Sequence, residues 1–260
     1  MRKDEQLLEK RLIELSKAAY HRERITYSDF LNLNELNILH SLPKDSLYTK
    51  YEIFGGYESA ERQLAAFIPD ALSLRGESER REELFADAIS VIRIEPLQTK
   101  FSEELSHRDY LGAILNLGID RSKIGDIVIE HHRAYLFVRP QMKDFLLENL
   151  CRIRHTSVMV EEEMPENFSY VPKFEEIRGT VASVRLDSLS SLAFATSRSK
   201  LCNLIEEGKV FVNGRLITSN AYQPKEEDRI SVRGMGKFQY KGITGITKKN
   251  RTSVLIHKYV

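Results

Sequence analysis

Residues 197 to 214 read SRSKLCNLIEEGKVFVNG, and this stretch decides the fold of the C-terminal part of the chain. Ser197 is placed to cap a helix, because its hydroxyl can accept a hydrogen bond from a free backbone N–H group of the first turn. Gly208 can adopt the left-handed conformation that ends such a helix. Between them lies an apolar face at helical spacing, formed by Leu201, Leu204 and Ile205. The stretch therefore predicts a short, capped helix.

The same stretch ends in a hairpin signal. Residues 210 to 212 and 215 to 217 are mainly apolar and flank Asn213-Gly214, a pair that tolerates the positive φ angles of a type I′ turn. Outward from this hairpin, residues 185 to 193 carry apolar side chains at helical spacing, and residues 229 to 234 supply a further strand. The prediction is two short helices followed by a small sheet.

Two cations occupy the first turn of the capped helix. Arg198 and Lys200 lie where the helix macrodipole makes positive charge unfavourable by roughly 0.3 to 1 kcal/mol each. An anion would explain this placement, because free backbone N–H groups and cations at one helix end form a phosphate site. The alternative is that both side chains simply reach solvent. Further positive charge is expected nearby from Arg185, Lys209, Arg215, Arg233 and Lys237.

The charge of the chain is unevenly distributed. Residues 181 to 260 hold 14 Lys and Arg against 6 Asp and Glu, a net charge of +8, whereas residues 1 to 180 hold 25 against 32, a net charge of −7. This asymmetry indicates that the C-terminal part meets a polyanion while the remainder keeps the molecule in solution.

Six short motifs follow one another in the C-terminal part: RLD (185–187), SRSK (197–200), LI (204–205), GKV (208–210), VNG (212–214) and DRISVRG (228–234). Together they resemble the RNA-binding domain named after small-subunit ribosomal protein four, the S-four-type or alpha-L RNA-binding domain. In that family the two-helix face and the hairpin grip structured RNA. The resemblance implies RNA contacts for Arg185, Ser197, Arg198, Lys200, Lys209 and Asn213. For Asp187 the alternative is structural, in orienting Arg185 or capping the helix.

The rest of the chain predicts an α+β fold. Leu8, Leu12, Leu15 and Ala19 indicate a first helix, a second helix is expected after residues 26 to 28, and Gly55-Gly56 form a turn or, alternatively, approach a phosphate. The predicted order from residue 88 to 160 is β-α-β-β-α-β, a ferredoxin-like, RRM-like arrangement that hosts many functions. The expected division is a small α+β unit (1–78), this middle domain (79–165), a linker (166–180) and the RNA-binding domain (181–260).

Further motifs extend the resemblance over nearly the whole chain. They are FGGY (54–57) with AER (60–62), HRDYLG (107–112) and LGIDRSKIGD (117–126). With the C-terminal domain, they resemble the bacterial YlmH-type proteins. That resemblance implies association with the large ribosomal subunit and tRNA in the rescue of stalled translation, and a link to cell-division genes.

No residues stand out as a catalytic or metal site. Cys151 and Cys202 lack ligand spacing, and the adjacent His131 and His132 would point to opposite faces of a strand, so a hairpin tip is the simpler interpretation. No apolar run is long enough for a membrane span, and no secretory signal is evident. The expectation is a cytoplasmic protein without cofactor or metal.

The leading hypothesis is therefore a non-catalytic protein that binds structured rRNA or tRNA. Two alternatives remain. One is an RNA-modifying enzyme, related to the pseudouridine synthases that also carry an Arg-Leu-Asp motif, although here that motif opens the binding domain itself. The other is a division-site scaffold whose acidic N-terminal domains bind protein.

Overall fold

The structure is a computed structural model that describes residues 3–70, 81–164 and 168–259. It divides into two compact units, Met1–Tyr170 and Val171–Val260. The predicted boundary at residues 78 and 79 lies outside the described residues, as do residues 166 and 167 of the predicted linker. Within the described ranges, no helix combines the length and apolar character needed to cross a membrane.

The first unit begins with helix α1, Lys3–Arg22, which confirms the first predicted helix and buries Leu12 and Ala19. The second predicted helix, expected after residues 26 to 28, begins at Leu33, and Thr26–Tyr27 form strand β1. Helix α2, Leu33–Ser41, starts after a capping box in which the Asn32 side chain accepts from the Glu35 N–H group, and the Glu35 carboxylate accepts from the Asn32 N–H group.

Two further strands complete a small N-terminal sheet. Strand β2, Lys50–Phe54, and strand β1 both pair with β3, Leu64–Ile68, so that β3 is central. Gly55 follows β2, and a Cβ atom there would lie 2.3 Å from the carbonyl oxygen of Arg62. The glycine therefore allows two backbone segments of the protein to approach closely.

The middle of the chain forms an antiparallel sheet with the order β5-β6-β4-β8-β7. This order is compatible with the predicted β-α-β-β-α-β arrangement. The predicted first strand starts at Ser90 instead of residue 88, and β7 is an additional short strand that pairs with β8. The elements are helix α3, Arg81–Phe85; β4, Ser90–Pro96; α4, His107–Asn116; β5, Ile124–Glu130; β6, Arg133–Val138; α5, Lys143–Asn149; β7, Arg152–Ile153; and β8, Thr156–Glu163.

The two predicted N-terminal domains, 1–78 and 79–165, merge into one unit because they share a hydrophobic cluster. Alternate residues of β6 point to opposite faces of the sheet. Leu136 packs on the helix side with α4 and α5, whereas Phe137 packs on the other side with Phe30 and Phe54 from the N-terminal segment. Phe30 and Phe54 of the first 70 residues therefore help to bury that second face.

The second unit confirms the two predicted helices followed by a sheet. Helices α6, Leu186–Ala193, and α7, Arg198–Glu206, pack on a six-stranded sheet with the order β11-β10-β12-β13-β14-β9. Asn213 and Gly214 both have positive φ angles, 48° and 76°, as the predicted type I′ turn requires. The strands are β9, Phe174–Val181; β10, Val210–Val212; β11, Arg215–Leu216; β12, Arg229–Val232; β13, Gly236–Ile246; and β14, Thr252–Tyr259.

The prediction of a linker at residues 166–180 is wrong for residues 174 to 180, which belong to strand β9. This strand pairs with β14 from Val181 opposite Thr252 to Phe174 opposite Tyr259. Gly179 accommodates the packing of helix α6, since a Cβ atom at that position would lie 2.5 Å from Cδ1 of Leu192. The C-terminal unit therefore begins before the predicted residue 181.

Candidate nucleic-acid interface

The connection between α6 and α7 positions the N-terminus of α7. Ser191 Oγ donates to the carbonyl oxygen of Thr196 at 2.5 Å, and the Thr196 N–H group donates back to the Ser191 carbonyl at 3.2 Å. Ser197 then caps α7, its Oγ accepting from the Lys200 N–H group at 3.3 Å. The predicted cap is confirmed, and Lys200 lies exposed on the first turn.

A buried carboxylate organises two of the predicted cations. Asp187 is only 1% exposed; it is hydrogen-bonded to Arg198, and its Oδ1 atom lies 3.3 Å from Arg185 Nε. Burial by itself raises the pKa of Asp187, but the hydrogen bond and charge of Arg198 and the charge of Arg185 outweigh it, so this pKa lies below its ordinary value. Asp187 thus fixes two guanidinium groups, in agreement with its structural interpretation.

Arg198 lines a groove of about 700 Å³ at the N-terminus of α7. Its side chain remains 54% exposed despite the ion pair, so most of its donors still face solvent. The other polar residues of the lining are Thr180, Ser188, Ser191, Thr196, Ser197 and Arg251. Hydroxyl groups, guanidinium groups and a helix N-terminus are the groups that bind phosphate oxygens in proteins.

The second arginine of the groove, Arg251, comes from the turn before β14. Its guanidinium donates to the Thr180 carbonyl at 2.9 Å, and its N–H group donates to Thr247 Oγ1 at 3.0 Å. Arg251 was missed in the sequence because it follows Arg198 by 53 residues and reaches the groove only through the pairing of β14 with β9. The one local signal is the basic turn, Lys248-Lys249-Asn250-Arg251.

Four of the other predicted residues lie on the hairpin and the sheet. Lys209 pairs with Glu207 at 2.6 Å, and its carbonyl accepts from the Arg233 N–H group at 2.9 Å. The Arg233 guanidinium lies 5.6 Å from the centroid of the Phe211 ring. Lys237 Nζ lies 5.1 Å from the ring centroid of Tyr259, and Arg215 is exposed in β11.

Asn213 has a structural role in the hairpin. Its side-chain amide N–H group donates to Asp228 Oδ1 at 2.8 Å, and its side-chain Oδ1 atom accepts from the backbone N–H group of Arg229 at 2.9 Å. These bonds tie the turn to the strand that follows the next loop. Asn213 is therefore occupied by contacts within the protein.

The predicted site residues thus form two groups instead of one. Arg185, Ser197 and Arg198 lie around the N-terminus of α7. Phe211 and Lys237, by contrast, alternate with the helix-facing core residues of their strands and so lie on the opposite face of the sheet, where Phe211 is buried and the Arg233 guanidinium lies over its ring. Because successive residues of a strand point to opposite faces of the sheet, the predicted cations do not all lie on one surface.

The middle sheet does not offer the aromatic face that RRM-like domains use to stack bases. Tyr135 and Phe137 of the inner strand β6 are buried, and Phe168 packs on them with ring centroids 5.0 and 5.1 Å away. Arg93 on the neighbouring strand β4 is engaged by Glu161 at 2.5 Å. Any RNA contact of this region must use another surface.

His131 lies at a left-handed position, φ 54°, in the turn between β5 and β6, as the hairpin interpretation predicts. Among residues 3–70, 81–164 and 168–259, no group of three or more His, Cys, Asp or Glu is arranged to hold a metal ion. Both cysteines are free thiols.

Comparison with known proteins finds one family match within each unit. Residues 85–167 match the family described as "Putative RNA-binding domain in YlmH", and residues 184–230 match the family described as "S4 domain". The chain is 28% identical to "Ribosome-associated protein quality control protein P2" of Bacillus subtilis (strain 168), over 99% of this chain and 96% of that protein. A solved structure, "Cell division protein ylmH from Streptococcus pneumoniae", is 22% identical with a TM-score of 0.49, over 65% of this chain and 97% of that chain.

The two matched domains are those of an RNA-binding protein. The order of the two matched domains, a YlmH-type domain followed by a C-terminal S4 domain, agrees with the resemblance of the sequence to the YlmH-type proteins. Thr180 and Arg251 of the groove lie outside the segment that matches the S4 domain.

Proposed function

We propose that this protein binds structured rRNA or tRNA at the large ribosomal subunit, through the groove at the N-terminus of α7, and acts in the rescue or quality control of stalled translation. The observation that carries the proposal is the groove itself. Two arginines from distant parts of the sequence line it, and a buried carboxylate fixes the first of them. The ribosome-associated name of the Bacillus subtilis relative supports the assignment to the ribosome.

The protein acts by occupancy in this proposal, in the cytoplasm where ribosomes translate. Arg198, Lys200 and Arg251 contact phosphate groups, and Arg185 supports Arg198 through their shared partner Asp187. Phosphate contacts position a protein on nucleic acid and give affinity that falls steeply with salt. The positive net charge of residues 181 to 260 adds to the attraction.

The test is sedimentation of the full chain through sucrose gradients of cell lysate at low and high salt. We expect wild-type protein to migrate with large ribosomal subunits at low salt, and both high salt and the paired substitution Arg198→Ala, Lys200→Ala to release it. The control pair, Arg178→Ala with Lys258→Ala, removes the same charge from β9 and β14, where these residues pair with Glu176 and Glu175. Wild-type protein at the top of the gradient, or equal release by both pairs, contradicts the proposal.

An enzymatic role predicts a different result. Incubation of purified RNA with the protein and candidate cofactors would then create a modified nucleoside, detected after digestion of the RNA by chromatography coupled to mass spectrometry; pseudouridine, which has the mass of uridine, is recognised by its retention time. We expect the nucleoside profile of the RNA to stay unchanged.

A further inference from the structure

Three aromatic rings form an exposed cluster at the C-terminal end of α1. The rings of Tyr20 and Tyr48 are 50% and 46% exposed, with centroids 6.1 Å apart. The His21 ring lies 5.4 Å from Tyr20 and 6.3 Å from Tyr48, and Lys17 Nζ lies 6.0 Å from the Tyr48 ring centroid. These four residues are called the Tyr48 patch below.

The backbone of Tyr48 is held from beneath by a buried serine of α1. Ser16 is fully buried, and its Oγ atom accepts from the N–H groups of Tyr48 at 2.8 Å and Thr49 at 3.0 Å. Ser16 Oγ also lies 3.0 Å from Thr49 Oγ1. Because α1 carries Tyr20 and also fixes Tyr48, the two rings are presented to solvent in a defined arrangement, and little conformational entropy is lost when a ligand stacks on them.

The surroundings of the patch are basic, although the first 180 residues carry a net charge of −7. Residues 17 to 24 and 44 to 50 contain five Lys and Arg against two Asp and Glu. All five cations are exposed: Lys17, Arg22, Arg24, Lys44 and Lys50. The two segments that carry the patch therefore have an excess of positive charge within an acidic part of the chain, which favours a negatively charged ligand.

We propose that the Tyr48 patch is a second RNA site, which stacks an unpaired base on Tyr20 and Tyr48 and holds the adjoining phosphates with Lys17 and neighbouring cations. Exposed rings among cations are the pattern of surfaces that bind single-stranded nucleic acid. Protein-docking surfaces are depleted in lysine, whereas three of the five cations here are lysines. Among described residues 3–70, the only exposed large aliphatic side chain is Leu7, thirteen residues before Tyr20 and so about 20 Å away along the helix.

The chain contains no tryptophan, so Tyr48→Trp introduces a single fluorophore at the patch. The matched control is Phe145→Trp on α5, where the native ring is 42% exposed. Both substitutions are made in the full chain that also carries Arg198→Ala and Arg251→Ala, so that failure of the groove and failure of the patch give separate results. The probe is a ten-nucleotide oligouridylate, compared with a blunt RNA duplex.

We expect the oligouridylate to quench the tryptophan in Tyr48→Trp saturably, whereas the control is not quenched. Adding Tyr20→Ala should weaken that binding about tenfold, and Tyr20→Phe should not, because stacking needs only a ring. With Tyr48 native, anisotropy of the labelled oligonucleotide should show the same loss for Tyr20→Ala, which covers the case that Tyr48→Trp disturbs the fold. Absence of saturable quenching in folded protein, or equal quenching by the duplex, would overturn the proposal.

Discussion

Asp187 and Arg198 form a direct ion pair across eleven residues of sequence, with the carboxylate buried and the guanidinium half exposed at the groove. Asp187 comes from the first turn of α6, and Arg198 begins α7. The contact therefore fixes the relative position of the two helix N-termini as well as the direction of the arginine. The ion pair therefore contributes both to the fold and to the proposed RNA site.

Asp187 is expected to make stability depend on pH. Its pKa is lowered in the folded state, so the carboxylate contributes stability that is fully present above its unfolded pKa of about 3.9 and is lost as the pH falls through the lower folded value. Asp187→Asn should remove this dependence. The measurement is the free energy of unfolding in urea from pH 7 down to pH 3. We expect the difference in unfolding free energy between wild type and variant to shrink as the pH falls through the acidic range.

Asn213 separates a structural role from the RNA contact that the family resemblance implies. Asn213→Gly keeps the left-handed conformation but removes the bonds to Asp228 and to the Arg229 N–H group. We expect a loss of about 1 to 3 kcal/mol in the free energy of unfolding, from two hydrogen bonds. The affinity of the folded protein for RNA should be unchanged. A loss of affinity at unchanged stability would instead assign Asn213 to the RNA surface.

Gly55 and Gly112 should respond in opposite directions to the same substitution. In Gly55→Ala the new Cβ atom meets the backbone oxygen of Arg62, which cannot rotate away, so the free energy of unfolding should fall by about 1 to 3 kcal/mol. In Gly112→Ala nothing lies within 4 Å of the new atom, and the interior of α4 should gain up to about 1 kcal/mol of helix stability. Urea denaturation followed by circular dichroism measures both. Equal changes in the free energy of unfolding would show that the close approach of Gly55 to the Arg62 backbone does not limit the side chain at position 55.

The features that were predictable from sequence have local causes. Ser197 caps α7, Gly208 with a φ angle of 70° ends it, and Asn213-Gly214 make the type I′ turn, each through residues a few positions away. A strand pattern was also visible wherever apolar residues continue for several positions, as in β6. These signals do not depend on the remainder of the chain.

What the sequence did not show depends on distant partners. Strand β9 contains three charged residues and Gly179, so it resembles a linker until β14 pairs with it. Arg251 joins the groove only through that pairing. Likewise, the covering of Tyr135 and Phe137 by Phe168 depends on the tertiary fold. When both faces of a strand carry apolar residues, the local sequence pattern does not show which face is buried and which is exposed.

Arg251 gives the sharpest test of the groove, because it lies outside the segment that resembles other S4 domains. Arg251→Ala should weaken binding of labelled tRNA and reduce the slope of log K against log salt concentration by about 0.7 to 0.9 for each phosphate that the variant no longer neutralises. Arg251→Lys keeps the charge but cannot reproduce the guanidinium contact with the Thr180 carbonyl, so it should retain the slope more fully than the affinity. The matched control is Arg178→Ala on β9, whose guanidinium pairs with Glu176 and does not line the groove.

The two arginines of the groove should also act together on one RNA. If Arg198 and Arg251 contact neighbouring phosphates, the double variant should lose less affinity than the sum of the two single losses, because either loss alone already loosens the shared segment of RNA. Fluorescence anisotropy of labelled tRNA at four or five salt concentrations, with all four members of the cycle, measures both the coupling and the slope. A slope for Arg251→Ala equal to that of wild type and of Arg178→Ala would remove Arg251 from the interface and leave the proposed RNA site confined to the first turn of α7.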